Sequence, residues 1–368
     1  MNTRMIVAGL CGGCLTVGMS AHADTPLTNE TNAVVAAVQA NGTNAVAEAV
    51  NEASALTPKE RVERRLQEFA KKKGDGFAYG DWNEKTGEIY FSDVTCFEAP
   101  LTNQAFMIKR SNALVLSLNS IVRNYARHIC TRVVERSDVP YGNTMLNTWE
   151  YKTEANVSGL AVVFVCEAVA KDGTAAVGIV AKAPSPIIYA VVRCANEGVR
   201  PNIPSQPGIP YKKIVSDTDE RLAALGVGPR FYYNENGLPE VMAIGQSPVS
   251  CSEDRNGQEM RREMALKRAE NDANQWLSQF LAGELVGSKR DEFSVDGLHA
   301  KFISDFKITA RASMRGRIVA TKKIIRHATG HEIAFVVIRL PVWSFPEEKP
   351  EQKTTPAKTA EADKKYDF

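Results

Sequence analysis

The basic segment between Phe306 and His331 is the part of the sequence whose residue types best suit ligand binding. It contains no aspartate or glutamate. On a β-strand alternate residues share a face, so Arg311, Arg315 and Arg317 would form one positively charged strip. The candidate residues for binding an anionic glycan, a lipid head group or an acidic protein are Arg311, Arg315, Arg317, Lys322 and Lys323. The alternative is a solvated face whose charges deter pairing with another strand.

Two histidines, His327 and His331, flank a turn at Ala328-Thr329-Gly330. Two imidazoles at this spacing could share a metal ion, but the neighbouring sequence offers no third ligand. We therefore interpret both as turn residues, and the sequence predicts neither a metal site nor a cofactor.

Sequence motifs of catalysis are missing from the chain. It has no GxSxG, no HExxH, no phosphate-binding loop and no GxGxxG that opens a helix after a strand. The paired carboxylates Glu347 and Glu348 lie in a polar tail. We predict a non-enzymatic protein with a structural, assembly or binding role. The alternative is a glycan-binding or hydrolytic enzyme whose site is assembled between two units of the chain.

The amino terminus has the pattern of a cleavable export signal. Arg4 supplies the charged region, Met5 to Met19 the apolar region, and Ala21-His22-Ala23 the small-x-small site, so we expect cleavage after Ala23. The apolar region is too short to span a bilayer, and no later segment approaches twenty apolar residues. The mature chain is therefore expected in the periplasm or cell envelope, without a transmembrane segment. A lipid anchor is the competing interpretation, because the signal contains Cys11 and Cys14.

Charge and cysteine usage narrow the function further. The formal net charge of +2 is too close to neutral to predict nucleic-acid binding by the whole molecule. Five cysteines follow the signal, namely Cys96, Cys130, Cys166, Cys194 and Cys251. Because their number is odd and their spacings are wide, they do not form a disulfide framework, although one or two bridges could form. A bridge between Cys96 and Cys251 is one possibility.

The chain is predicted to have an α+β fold with two tandem duplicated units. Each unit consists of a short helix, a β-hairpin, a long helix and a second β-hairpin, and its antiparallel sheet packs on its long helix. The predicted segments are a signal peptide (1–23), a low-complexity linker (24–57), a first α+β unit (58–184), a proline-rich linker (185–213), a second α+β unit (214–345) and a disordered tail (346–368). At this length we expect each unit to have its own core.

The prediction of a duplication is supported by an alignment of the two units. From Glu88 and Glu240 through the long helices the alignment needs no gap, and it resumes after a small insertion in the second unit. The aligned pairs include Arg110 with Arg262, Ala113 with Ala265, Gly159 with Gly316, Gly173 with Gly330, and Val180 with Val337. Identities are sparse, so the shared order of elements carries the prediction.

Specific boundaries follow from local signals. Thr57 and Glu60 predict a capping box for the first short helix. The long helices are predicted at 106–134 and 256–285, and 149–169 is predicted as one extended strand. In the second long helix, Ala265, Ala269, Ala273 and Leu277 recur every four residues and predict a buried face, opposite a solvated face with Arg261, Lys267, Arg268 and Asn271.

This second long helix and the strands after it resemble a bacterial envelope family. The family includes small outer-membrane lipoproteins and the amino-terminal domain of flagellar assembly protein T. The resemblance rests on the helix 262–281 with its alanines and on the later Gly316 strand and Gly330 turn, and it covers mainly residues 240–341. It implies an α+β fold and a structural or assembly role in the envelope, with no catalytic residues to carry over. The chain departs from the lipoprotein members because it lacks a convincing lipobox.

Overall fold

The computed structural model describes residues 56–346 apart from a few short segments. These segments are 75–76, 84–85, 130–131, 142–143, 216–217, 252–253, 295–299 and 311–315. The predicted signal peptide, almost all of the predicted linker 24–57 and almost all of the predicted tail lie outside the described residues. So do Cys130, Arg311 and Arg315.

The elements follow the chain in two similar series. The first unit contains α1 (Pro58–Lys73), β1 (Trp82–Asn83), β2 (Glu88–Glu98), α2 (Ala105–Ile129), β3 (Arg132–Tyr141), β4 (Thr144–Asn156), β5 (Ala161–Val169) and β6 (Thr174–Lys182). Between the units lie α3 (Pro186–Glu197) and α4 (Tyr211–Val215). The second unit contains α5 (Asp219–Ala224), β7 (Gly228–Tyr233), β8 (Pro239–Pro248), α6 (Arg255–Ala282), β9 (Gly283–Ser294), β10 (Ala300–Ala310), β11 (Ile318–Arg326), β12 (Glu332–Leu340) and a short 3-10 helix (Val342–Ser344).

The described strands form three antiparallel sheets, and the fold is α+β. The first sheet has the order β1-β2-β6-β5, and the second has the matching order β7-β8-β12-β11. In each unit a short helix, two strands, a long helix and four strands follow one another in the same order. This shared order agrees with the aligned sequences, while a duplication as its origin stays a prediction.

The third sheet joins the two units. Its order is β10-β9-β4-β3, so each unit contributes the hairpin that follows its long helix. The central strands β4 and β9 pair antiparallel from Leu146 opposite Ser294 to Asn156 opposite Glu284. The backbone hydrogen bonds of this ladder therefore link the two units directly.

The core is shared between the units, so the prediction of a separate core for each is wrong. One cluster of buried residues includes Phe91, Leu118 and Val165 of the first unit together with Val241 and Ala269 of the second. A second cluster combines Phe106 and Met107 with apolar residues of the second sheet. A third cluster lies within the first unit, where α1 covers the first sheet. Two of the three clusters thus combine buried residues of both units.

Several predicted boundaries are also corrected. The predicted linker 185–213 contains the helix Pro186–Glu197, which is capped by Ser185 and buries apolar residues in the shared core. The first long helix ends at Ile129 rather than at residue 134, because strand β3 begins at Arg132. The predicted strand 149–169 is divided by a turn at Gly159, where φ is +80°. In both units the long helix is followed by two hairpins, whereas the sequence predicted one.

Other local predictions are confirmed. Thr57 accepts a hydrogen bond from the backbone of Glu60, whose carboxylate accepts one from the backbone of Thr57. The hairpin of β5 and β6 turns at Asp172-Gly173 as predicted. No helix in the described part of the chain is long and apolar enough to cross a membrane.

The alanine face of α6 is buried against the second sheet, as predicted. Ala269, Ala273 and Leu277 are all 0% exposed. A Cβ on Gly245 of strand β8 would overlap the carbonyl oxygen of Ala269. Helix and strand backbones therefore approach closely, because both sides carry small residues at the contact.

Candidate functional site

A cavity of about 620 Å³ lies where the two units meet, and we call it the interunit cavity. The first unit contributes residues of α1, β5 and the turn after β5, whereas the second contributes α5 and the turn between β11 and β12. Its apolar wall residues include Leu101, Val165, Val169, Ala170, Ala223 and Ala224. Its polar wall residues include Arg65, Glu167, Lys171, Glu220, His327 and His331. A mainly apolar wall with a few charged groups is the usual composition of a small-molecule site.

Two matched glycine turns border the interunit cavity. Gly173 ends the turn after β5, and its aligned partner Gly330 ends the turn after β11, with φ values of +89° and +85°. Glycine adopts positive φ without steric cost. A Cβ on Gly173 would also overlap the carbonyl oxygen of Ala99. The two turns hold Lys171 and His327 at the cavity, one from each unit.

A buried ionic cluster, made of Arg110, Glu167 and His327, lies at the cavity wall. Arg110 projects from α2 and is 2% exposed. Its Nε donates to Glu167 Oε2 at 2.8 Å. Its two remaining nitrogens donate to Gln246 Oε1 and to the carbonyl oxygen of Ala223, both at 3.0 Å. Since Glu167 belongs to the first unit whereas Gln246 and Ala223 belong to the second, Arg110 connects the units beside the cavity.

The charge of Glu167 is set by this cluster. Burial acts to raise the pKa of Glu167, but Arg110 and His327 lower it overall, to about 2. The carboxylate is therefore ionised at neutral pH. Its Oε1 is buried without a hydrogen-bond partner among the described residues and lies 3.6 Å from Nε2 of His327.

The imidazole of His327 is oriented by its own turn. The backbone N–H of Thr329 donates to His327 Nδ1 at 3.3 Å, and the Thr329 hydroxyl lies 2.8 Å from the same nitrogen. Because Nδ1 accepts a hydrogen bond, a neutral ring carries its proton on Nε2. That nitrogen faces Glu167, so the ring directs a donor toward the carboxylate.

His331 lies across the same turn and has a different partner. Its Nε2 lies 2.8 Å from the carbonyl oxygen of Leu101, which can only accept a hydrogen bond. His327 and His331 thus flank the turn, as the sequence predicts, and both line the interunit cavity. Within the described part of the chain, no group of three or more His, Cys, Asp or Glu side chains could hold a metal ion.

Of the five basic candidates from the sequence, Arg317, Lys322 and Lys323 belong to the described residues, and they do not line the interunit cavity. Arg311 and Arg315 lie outside the described residues, and Gly316 forms a turn with φ of +73°, so β11 begins only at Ile318. Arg317 donates to Asn274 of α6, and Lys322 pairs with Glu270 of the same helix at 3.2 Å. Lys323 is half-buried on β11. The prediction of a strand that runs through Gly316 is therefore wrong. Helix α6 supplies polar partners to two of the five candidates, Arg317 and Lys322.

A second buried ionic cluster centres on Glu240, which is 0% exposed. Burial acts to raise the pKa of Glu240, but hydrogen bonds from Tyr232, Asn234, Trp343 and Arg339 lower it overall. The aligned positions of the first unit hold a similar pair, in which Glu88 contacts Lys182. Neither cluster lines the interunit cavity. We interpret both as structural, because each ties the ends of two neighbouring strands together.

Arg110 and Glu167 were not among the candidates from the sequence. The sequences of the strand that contains Glu167 and of the helix that contains Arg110 each show a charged residue among apolar ones. Glu167 is the single charged residue of the strand AVVFVCEAV, and Arg110 lies on the apolar helical face that includes Phe106, Ala113 and Leu114. Charges embedded in apolar faces are normally paired when the face is buried. The periodicity of each segment could have identified Arg110 and Glu167 as buried charges. It could not have predicted that the two side chains contact each other.

The cysteines are free thiols wherever the structure describes them. Cys96 and Cys251 are exposed, whereas Cys166 and Cys194 are buried. The predicted possibility of a bridge between Cys96 and Cys251 is not realised. Cys166 lines the interunit cavity, and burial raises the pKa of its thiol to about 12, which leaves it protonated and unreactive at neutral pH.

Comparisons with known proteins give little further information on this site. No family model and no curated protein matches the chain. Among solved structures, the chain is similar to a hypothetical protein from Francisella tularensis, whose crystal structure extends to 2.3 Å. The two chains are 12% identical, with a TM-score of 0.45, over 85% of this chain and 97% of the other.

Proposed function

We propose that this protein is an exported, non-enzymatic protein of the cell envelope that binds a small molecule in the interunit cavity. The observation that carries the proposal is a cavity of about 620 Å³ whose wall is built from both units. This volume lies within the range of roughly 300–1,000 Å³ that is usual for small-molecule sites. The shared core and the third sheet support the proposal further, because they hold the two halves of the wall together.

The wall chemistry favours a ligand with an apolar body and a polar or anionic group. Leu101, Val165 and Val169 offer an apolar surface of the kind that buries the body of such a ligand. Arg65 and Lys171 add positive charge from the first unit, and either could contact an anionic head group. Of the partner classes expected from the sequence, an anionic lipid therefore fits this wall better than a glycan, because its body is apolar. Its contacts are proposed in the interunit cavity rather than on the basic strip.

The envelope location rests on the sequence. The predicted signal peptide cleaved after Ala23 supports export, and the resemblance to the envelope family that includes flagellar assembly protein T supports a role there. Binding in the interunit cavity is compatible with an assembly role, because a ligand that contacts both units would stabilise their arrangement.

A cavity-blocking substitution tests this function. We expect Ala328→Trp to lower the affinity for 8-anilinonaphthalene-1-sulfonate by at least about tenfold, because the indole would occupy space that the apolar anionic probe needs. Ala328 lies at an exposed position of the turn that lines the cavity, so the fold should tolerate the change. The measurement is a fluorescence titration with determination of the stoichiometry.

The matched control is Glu235→Trp, which places the same indole at an exposed turn position away from the cavity. This variant should bind the probe like the unmodified protein at one site per chain. Equal affinity in both variants, or no saturable binding by the unmodified protein, would contradict the proposed function. Circular dichroism should show that both variants remain folded.

Hydrolysis in the same cavity is the second candidate. The observation that favours it is a row of three groups: the Thr329 hydroxyl, the His327 imidazole at 2.8 Å, and the Glu167 carboxylate at 3.6 Å from the far ring nitrogen. A hydroxyl, a base and an orienting carboxylate in this order can form a nucleophilic catalyst. We prefer binding because the backbone of Thr329 also donates to the same ring nitrogen, as in a structural turn.

Turnover assays separate the two candidates. Purified protein should release no product from chromogenic esters or from envelope glycans if the cavity only binds. Turnover that disappears in Thr329→Val but persists in Thr321→Val would establish the hydrolytic candidate. Thr321 is a suitable control because its hydroxyl contacts Tyr211 rather than a histidine.

A further inference from the structure

The wall of the interunit cavity changes in character from its buried part to its exposed part. Val165 and Cys166 are each 6% exposed, and Ala223 is 2% exposed. Lys171 and Glu220 line the same cavity but are exposed to solvent. The buried residues thus form an apolar floor, whereas the exposed residues form a charged rim. A ligand with an apolar body at the floor and a charged end at the rim matches this arrangement.

The charges of the wall favour a ligand with a single negative charge. Glu167 is neutralised by Arg110, whose Nε lies 2.8 Å from its carboxylate. The other acidic and basic wall residues, apart from the two histidines, are Arg65 and Lys171 against Glu220. One positive charge therefore remains in excess, and a monoanion would balance it.

Lys171 is better placed than Arg65 to contact such an anion. The Nη1 group of Arg65 already donates to the carbonyl oxygen of Glu167 at 3.3 Å. The side chain of Lys171 makes no hydrogen bond or ion pair within the described part of the chain, and it lies at the exposed rim. Its ammonium group is therefore available to donate hydrogen bonds to an anionic head group.

The volume of the cavity limits the apolar body to one chain. A group the size of a water molecule occupies roughly 30 Å³, so the cavity of about 620 Å³ holds about twenty such groups. A methylene is of similar size. One alkyl chain of about ten to sixteen carbons therefore fits inside, whereas two such chains do not.

We propose that the ligand of the interunit cavity is a single-chain alkyl monoanion, such as a medium-chain or long-chain carboxylate. Its chain lies against the apolar floor, and its carboxylate accepts hydrogen bonds from Nζ of Lys171 at the rim. This assignment rests on the proposed function of the cavity and adds to it the number of chains, the charge of the head group and the residue that contacts it.

A chain-length series tests the apolar part of the proposal. Octanoate, decanoate and dodecanoate are titrated by calorimetry below the concentrations at which they aggregate. We expect one carboxylate per protein chain and an affinity that rises about fourfold with each added methylene, which is the gain from burying it. Ala328→Trp should weaken the binding of all three, because its indole occupies part of the same cavity.

A substitution of Lys171 tests the head-group contact. Lys171→Met keeps the apolar stem of the side chain and should lower the affinity for decanoate by about threefold to tenfold. The affinity for decanol, which has no charge, should stay the same. The matched control is Lys72→Met on α1, which removes an exposed cation that does not line the cavity and should change neither affinity.

The outcomes separate this ligand class from the proposed function. Suppose that 8-anilinonaphthalene-1-sulfonate binds at one site that Ala328→Trp blocks, while the carboxylates show no gain per methylene or bind twice per chain. The single-chain ligand is then refuted, and the binding function stands. Equal losses for decanoate and decanol in Lys171→Met would refute the head-group contact. If neither the dye nor any carboxylate binds to the unmodified protein, the proposed function itself fails.

Discussion

Arg110→Met is expected to lower the free energy of unfolding by about 3–5 kcal/mol, which is the usual cost of removing one partner of a buried ion pair. The substitution leaves Glu167 charged and desolvated, and it removes the hydrogen bonds to Gln246 and to the carbonyl oxygen of Ala223. Methionine keeps most of the side-chain volume, so the effect isolates the loss of charge and hydrogen bonds. Urea unfolding followed by circular dichroism measures it.

Two further variants make this test specific. Lys109→Met removes a neighbouring cation at an exposed position of the same helix and should change stability by less than about 0.5 kcal/mol. The double variant Arg110→Met, Glu167→Leu should recover part of the loss, because no unpaired charge remains. Losses that simply add in the double variant would show that the two side chains are not a coupled pair.

The pH dependence of stability should also change in Arg110→Met. The pKa of Glu167 is lowered from an ordinary 4.5 to about 2 in the folded protein. A carboxyl with a lowered pKa contributes stability that is complete above its unfolded pKa and is lost as the pH falls through its folded pKa. In Arg110→Met the burial of Glu167 remains while its main cation is gone, so its pKa should rise. Acid unfolding should then begin at a higher pH than in the unmodified protein.

Ala269→Glu is expected to be at least as damaging, with a loss of several kcal/mol or a failure to fold. Ala269 is 0% exposed, and its carbonyl oxygen lies so close to Gly245 that helix and strand are in backbone contact. The new carboxylate would be buried without a partner, and the helix would be pushed away from the sheet. The melting temperature measured by calorimetry should fall accordingly.

Asn271→Glu is the control for this substitution. Asn271 lies two residues further along α6 on the exposed face, so the same side chain remains in water there. We expect a change in stability of less than about 0.5 kcal/mol. An unchanged melting temperature in Ala269→Glu would contradict the burial of the alanine face.

The structure agrees best with the predictions that depend on neighbours in sequence. The Thr57 capping box and the alanine face of α6 both follow from spacings of three or four residues. The turn at Gly330 follows in the same way from its local sequence. The linker predicted from the proline-rich composition of residues 185–213 is wrong in its first part. Pro186 lies at the first turn of a helix, where proline is favourable, and α3 begins there. The predicted strand through Gly316 ignored the turn that a glycine with positive φ provides.

The sequence by itself determined the α+β class, the two long helices with their buried faces, and the short helix and hairpin that precede each of them. Those properties depend on periodicity and on caps, which act within a few residues. Only the tertiary structure decided that β4 pairs with β9 and that the units share a core. It also decided that Arg110, Glu167 and His327 meet beside a cavity. An apolar face requires burial but does not specify its partner, and contacts between distant residues depend on how whole sheets and helices pack.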